Sequence, residues 1–278
     1  MKAFPYYGSK ANMLKYILPY LDIDHKIYVE VFGGSAVVLL NKKPSNLEVY
    51  NDIYFEVVNF FRVVRNAIDR KRLQEFINNV PYSREEFSEF KKTLSTTKDK
   101  VERAAKFYFL HSSSYSGHGH SFTVTIKRKP ELVYKDLAKL NRVTSRLRSV
   151  AIENLDWEEI LSRFDSEETL FYLDPPYVNT TLRNKVQYHC KIGDDVHQRM
   201  IDKILTLKAK VIISGYDNQI YEKLITEKSY FKKVYQIDLP SQKFTDGQSI
   251  EKAEECLWLS EHFQVFEKRK NLFFQTDL

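Results

Sequence analysis

This 278-residue chain has only two cysteines, Cys190 and Cys256, and they stand far apart without the spacing of a metal-ligand pair. A disulfide scaffold is thereby excluded, and a reduced, cytoplasmic setting is expected. No apolar run reaches the length of a membrane span. The start, Met1-Lys2-Ala3-Phe4-Pro5, lacks the apolar stretch of a secretory signal, so none is expected. Neither G-x-G-x-x-G nor G-x-x-x-x-G-K-[ST] occurs, which weakens dinucleotide and triphosphate readings. No internal repeat is found. A hydrophobic fraction of 43% beside 29% charged residues instead describes a soluble globular protein able to bury a large core.

Positive charge is present in excess, and it is uneven. The chain carries a net charge of +6, while residues 111 to 148 alone hold eight Lys or Arg against two acids. Clustered positive charge suggests a polyanionic partner, although a solvated helix face is the commoner cause of such a run. Here the basic residues adjoin a loop of small polar side chains, His111-Ser-Ser-Ser-Tyr115-Ser-Gly-His-Gly-His120. That combination suits double-stranded DNA. Lys127, Arg128, Lys129, Arg142 and Arg146 would meet phosphates, and Tyr115, Ser116, His118 and His120 would reach base edges. His118 and His120 have no accompanying cluster of acids or cysteines, so no metal is expected.

The most informative stretch is Leu173-Asp174-Pro175-Pro176-Tyr177. It follows the apolar run 169–172, short and aromatic enough for a buried strand. Prolines cannot donate to a ladder, so the strand must end there. A carboxylate, two carbonyls and one aromatic ring are thereby placed at the mouth of a sheet, where α/β folds bind ligands. Asp174 and the Pro175 carbonyl are acceptors that suit the two N–H groups of an exocyclic amine, with Tyr177 stacking on its ring. Fixed acceptors favour the pyramidal nitrogen, whose lone pair is then nucleophilic. A plain strand-ending turn is the alternative that these residues alone leave open.

Other strand ends carry similar equipment. The run 27–32 reads as a strand that ends near Glu30 and Phe32, broken by Gly33-Gly34-Ser35 and followed by an expected apolar helix over 36–40. A strand over 46–50 leads to Asp52, placed either to accept ribose hydroxyls or to cap the next helix. A third strand over 151–157 has Asp156 and Trp157 at its tip. Between them, helical periodicity runs from residue 54 to 94, with Ser83 and Glu86 forming a capping box; a polar loop over 93–100 and a further helix from 101 to about 110 follow. Residues 121–129 alternate like an exposed strand or hairpin arm. Pro130 opens a further helix, and a polar loop is expected over 178–193.

Taken in order, Phe-Pro-Tyr-Tyr-Gly-Ser-Lys (4–10), Val-Glu-Val-Phe-Gly-Gly-Ser (29–35), Asn-Asp-Ile (51–53) and Leu-Asp-Pro-Pro-Tyr (173–177) resemble the Dam-type DNA adenine-N6 methyltransferases of the D12 class, alpha group. The resemblance implies transfer of a methyl group from S-adenosylmethionine to adenine N6, with the base flipped out of double-stranded DNA. It implies an α/β fold: a Rossmann-like, mixed seven-stranded sheet over residues 1–55 and 150–278, with a mainly helical target-recognition domain inserted at 56–149. By position, it assigns Tyr6, Lys10, Glu30, Phe32, Gly33, Gly34, Asp52, Asp156, Trp157 and Asp174 to the cofactor. It assigns Asp174, Pro175, Pro176 and Tyr177 to the target amine. No metal is implied. A cytoplasmic enzyme of bacterial or phage origin, monomeric or weakly dimeric, with a cognate restriction endonuclease as candidate partner, completes the expectation.

The loop at 111–117 lacks the Asn-Arg…Asn-Gly…Arg pattern of Dam enzymes, so GATC recognition is not implied. Two rivals come from other classes. RNA or protein N-methyltransferases tend to carry Asn where Asp174 stands. A catalytically dead DNA-binding protein of the same fold would not need Lys10, Glu30, Asp52 and Asp174 together.

Overall fold

The computed structural model describes residues 1–124, 130–177, 193–238 and 252–267. Its strands are β1 (Ile27–Glu30), β2 (Leu47–Asn51), β3 (Val150–Glu153), β4 (Thr169–Leu173), β5 (Lys210–Gly215), β6 (Phe231–Asp238) and β7 (Lys252–Leu259). They form one seven-stranded sheet in the order β3-β2-β1-β4-β5-β7-β6. The α-helices are α1 (Leu14–Ile17), α2 (Phe55–Arg65), α3 (Ala67–Asn78), α4 (Arg84–Thr93), α5 (Lys100–Ser112), α6 (Pro130–Leu147), α7 (Trp157–Phe164), α8 (Asp194–Leu205) and α9 (Glu222–Lys228). The protein is therefore α/β with a mixed sheet, as expected.

β4 lies at the centre of the sheet order, and all five of its residues are buried. It pairs in parallel with β1 on one side and β5 on the other. Burying each large apolar side chain of this strand contributes about 1.5–3 kcal/mol. A one-residue slip would turn that whole set over, so the register of Asp174, the next residue, is strongly specified. β7 reverses direction, antiparallel to β5 and to β6. The chain leaves β1 for a strand on one side and returns with β4 on the other, which makes the carboxyl ends of β1 and β4 the switch point of the sheet.

By its internal packing the chain divides into two compact units. One comprises Met1–Ala11, Gly33–Asn41 and Tyr50–Asn154; the other comprises Asn12–Phe32, Lys42–Val49 and Leu155–Leu278. The first is built around aromatic side chains from α2 and α5, with Phe4 wedged among them. Its ring centroid lies 4.9 Å from Phe60 and 5.3 Å from Phe107. Asn66, Ser83 and Asp99 cap α3, α4 and α5 by accepting backbone N–H groups of the first turn. The second unit holds β1 and β4 to β7 with α7, α8 and α9.

Two local expectations change. Residues 36–40 form successive turns rather than a helix. Ala36 sits in the left-handed region at φ +53°, and so short a segment cannot recover the cost of helix nucleation from there. The strand expected over 151–157 ends at Glu153, because Asp156 caps α7 by accepting the Glu158 N–H at 2.9 Å. Of the arm expected over 121–129, the described part shows one isolated bridge, Ser114 with Phe122; residues 125–129 lie outside the described residues. The loop expected over 178–193 also lies outside them, except for Gly193.

Candidate active site

In the second unit the tetrapeptide leaves β4 where the ladder stops. The β4–β5 register pairs Leu173 with Ile213, which brings Asp174 level with Ser214. The Ser214 hydroxyl donates to Asp174 Oδ1 at 3.1 Å and lies 2.9 Å from the Tyr172 hydroxyl. A serine has one proton to give, so with it on the carboxylate the Tyr172 hydroxyl donates to Ser214. Asp174 is thus oriented by a buried relay that starts on its own strand. Pro175 is buried, while Asp174, Pro176 and Tyr177 remain partly accessible. The Tyr177 ring stacks on Tyr216 with centroids 4.1 Å apart and 22° between planes. Its hydroxyl donates to Glu255, 3.1 and 3.3 Å from the two carboxylate oxygens.

On the neighbouring parallel strand Glu30 pairs in register with Tyr172 and is 2% exposed. It accepts the Tyr28 hydroxyl at 2.9 Å. Lys42 stands over the Tyr28 ring at 4.4 Å and donates to Glu48 at 2.7 Å, with both ends of that ion pair buried. An acid held this deep beside a switch point suits a cationic ligand group and repels phosphate. Behind the tetrapeptide, His197 on α8 is fully buried, with Nδ1 3.0 Å from the Tyr221 hydroxyl, and burial lowers its pKa.

The glycine turn belongs to the first unit. A Cβ on Gly33 would lie 2.1 Å from Tyr50 Cε2, so only glycine fits beneath that ring. The Tyr50 hydroxyl in turn donates to the Gly34 carbonyl at 2.8 Å. Gly34 has φ +45°, and a Cβ there would come 3.2 Å from the Tyr6 ring. The Gly34 N–H donates to Asp52 Oδ2 and the Tyr54 N–H donates to Oδ1, each at 2.8 Å. Burial pushes the Asp52 carboxyl up to about 6, with these two amides working against the rise. Asp52 does not cap α2, whose N-cap is Tyr54 without a side-chain cap; it ties down the turn instead, with its carboxylate beside backbone stripped of side chains. Lys10 is 5% exposed and Tyr6 half-buried. A cradle that a Cβ would fill, an aromatic ring against it and an acceptor for hydroxyl donors fit a nucleoside-bearing cofactor.

The remaining expected residues are placed unevenly. Trp157 is buried at the start of α7, while Asp156 caps that helix from an exposed position. Arg146 is half-buried and donates to the Leu39 carbonyl at 2.8 Å, whereas Arg142 is exposed on α6. Lys127, Arg128 and Lys129 lie outside the described residues. The loop at 115–120 is well tied. His111 Nδ1 donates to the Gly117 carbonyl at 2.7 Å, Gly119 N–H donates to Ser114 Oγ at 2.7 Å, and His118 stacks on Tyr7 at 3.7 Å. Burial lowers the pKa of His118 and of His120. Tyr115 projects from the loop, 51% exposed. Among the described residues no three His, Cys, Asp or Glu are grouped to hold a metal, and no helix is long and apolar enough to cross a membrane.

Sequence reading passed over Ser214, Tyr216 and Glu255. The signals were present but weak: polar residues ending the apolar run 211–213, and an acid abutting Cys256-Leu257-Trp258-Leu259.

Comparison with known proteins places these motifs in context. The family described as D12 class N6 adenine-specific DNA methyltransferase matches residues 6–239. No curated protein matches the chain. Among solved structures, an rRNA methylase from Streptococcus thermophilus is similar at 11% identity and a TM-score of 0.36, over 91% of this chain and 96% of that one.

Proposed function

Since the chain belongs to the D12 class of N6 adenine-specific DNA methyltransferases, we propose that it methylates adenine N6 in double-stranded DNA at a fixed sequence, on a base flipped out of the helix. The observation that carries the reading is Asp174-Pro175-Pro176-Tyr177 at the carboxyl end of β4, beside β1, at the switch point of the sheet. Asp174 and the Pro175 carbonyl accept the two N–H groups of the exocyclic amine. The nitrogen turns pyramidal and its lone pair becomes nucleophilic. Asp174 would also take the proton that the amine sheds. A ring carbonyl in the same place would face two acceptors and be repelled. Tyr177 replaces the stacking that the base loses on leaving the duplex, a loss of a few kcal/mol.

S-adenosylmethionine supplies an electrophilic methyl group on a sulfonium centre. Tyr6, Lys10, Glu30, Phe32, Gly33 and Gly34 are the residues proposed to hold it, with Glu30 facing a cationic group and Asp52 the ribose hydroxyls. Asp174 also belongs to this set. Asp156 and Trp157 stand at the position proposed for the cofactor's adenine. Residues 56–149 are proposed as the target-recognition part and residues 1–55 with 150–278 as the catalytic part. Arg142 and Lys127 to Lys129 would meet phosphates. Arg146, bonded to Leu39, would anchor the helix that carries Arg142. Tyr115, Ser116, His118 and His120 would read bases.

Long-read methylation profiling of DNA from cells expressing the protein tests this reading. N6-methyladenine at one recurrent sequence is expected, and DNA without added methyladenine would overturn it.

A further inference from the structure

We propose that Glu255 and Tyr216 are positioning residues that fix the plane and depth of the Tyr177 ring, and so set how the target base is engaged. The proposal rests on the reading of Tyr177 as the base's stacking partner. It begins with the reversed strand. β7 runs antiparallel to β5 with Ser214 opposite Leu257 and Gly215 opposite Cys256. Glu255 therefore comes to the carboxyl edge of β5, the edge at which β4 releases the tetrapeptide. A parallel strand in that place would bring its far end there instead.

Glu255 is 1% exposed. A carboxylate this deep costs several kcal/mol unless it is hydrogen-bonded, so its partners matter. One is the Tyr177 hydroxyl, nearly equidistant from both oxygens at 3.1 and 3.3 Å. Hydrogen bonds to an ionised acceptor are the stronger kind, and this one fixes how far the ring extends from the sheet. Tyr216, directly after β5, covers one ring face at 4.1 Å and fixes the plane. The backbone end is restrained by the fixed φ of Pro175 and Pro176, which immediately precede Tyr177. A ring held at its backbone, one face and its hydroxyl has a defined second face, which is what a stacking platform requires. The bland alternative is a buried acid satisfied by the nearest hydroxyl. Such a pair would change stability and leave turnover on DNA untouched.

The test uses the full chain with unmethylated DNA, reading kcat and KM for DNA from labelled methyl incorporation and the S-adenosylmethionine Kd from calorimetry. Tyr177→Phe keeps the ring and removes only the hydroxyl. It should lower kcat/KM for DNA about tenfold to a hundredfold, the size of one hydrogen bond to a charged group, with the cofactor Kd unchanged. Glu255→Ala should do the same, Glu255→Gln should recover most of that loss, and the Tyr177→Phe/Glu255→Ala pair should be no worse than either alone. Tyr216→Phe should likewise recover what Tyr216→Ala loses. If Glu255→Ala fails to fold, Tyr177→Phe and the Tyr216 pair still decide the matter. Wild-type kcat/KM in Tyr177→Phe, or losses that multiply in the double variant, would overturn the proposal. Tyr177→Ala separates it from the reading beneath: full activity there would remove the stacking role itself.

Discussion

Asp52 is the side chain whose protonation has the clearest consequence. Its carboxyl titrates near 6 rather than at the ordinary 3.8 because burial penalises the charge more than two amide donors relieve it. The folded protein thus binds more protons here than the unfolded chain between those values. For stability, the contribution of this group is fully present below about 4 and is lost as pH rises through about 6. Cofactor binding has the opposite sign, since hydroxyl donors prefer the ionised acceptor. Calorimetry should show S-adenosylmethionine binding weakening as pH falls from about 7.5 to about 5, and Asp52→Asn should remove most of that dependence. A wild-type Kd flat across this range would contradict the assignment. Ser214 acts on the other carboxylate. Ser214→Ala deletes the donor to Asp174 Oδ1, a hydrogen bond to a charged group worth about 1.5–3 kcal/mol, so single-turnover rates at saturating cofactor should drop roughly tenfold or more.

Among the elements, the glycine turn and β2 are the most exacting. Gly33→Ala must displace the Tyr50 ring, which would otherwise lie 2.1 Å from the new methyl, and overpacking of this kind costs about 1–3 kcal/mol or more. Chemical denaturation should register that loss together with weaker cofactor binding. On β2, Glu48 pairs with Lys42, both buried. Glu48→Ala removes the countercharge of a buried ammonium, which keeps its hydrogen bonds to the Lys43 carbonyl and Ser45 Oγ, and should destabilise by about 3–5 kcal/mol in the same assay; a change below about 1 kcal/mol would mean that those acceptors suffice for the ammonium. The elements themselves were legible to different degrees. β4 and its end could be read because two consecutive prolines admit one interpretation after a buried run. The turns at 36–40 could not, because nothing in Ala36 announces a left-handed conformation imposed by its surroundings. Glu255 was hidden for a third reason. Its partner is 78 residues away, and only the antiparallel register of β7 brings them together.

At the scale of the whole molecule, an excess of positive charge confined to residues 111–148 predicts DNA binding that falls steeply with salt. Replacing Lys127, Arg128 and Lys129 by alanine should reduce the slope by about one unit for each phosphate no longer neutralised, without changing which sequence is modified. A slope equal to wild type would make them solvent-facing. The central claim, that the tetrapeptide selects an exocyclic amine of DNA, is tested most directly by the product. The protein is incubated with labelled S-adenosylmethionine and unmethylated duplex DNA, the DNA is digested to nucleosides, and the labelled nucleoside is identified. The account predicts N6-methyldeoxyadenosine, lost in Asp174→Ala, with no label entering RNA or protein offered in parallel. Label in cytosine, or label in RNA or protein and none in DNA, would contradict it.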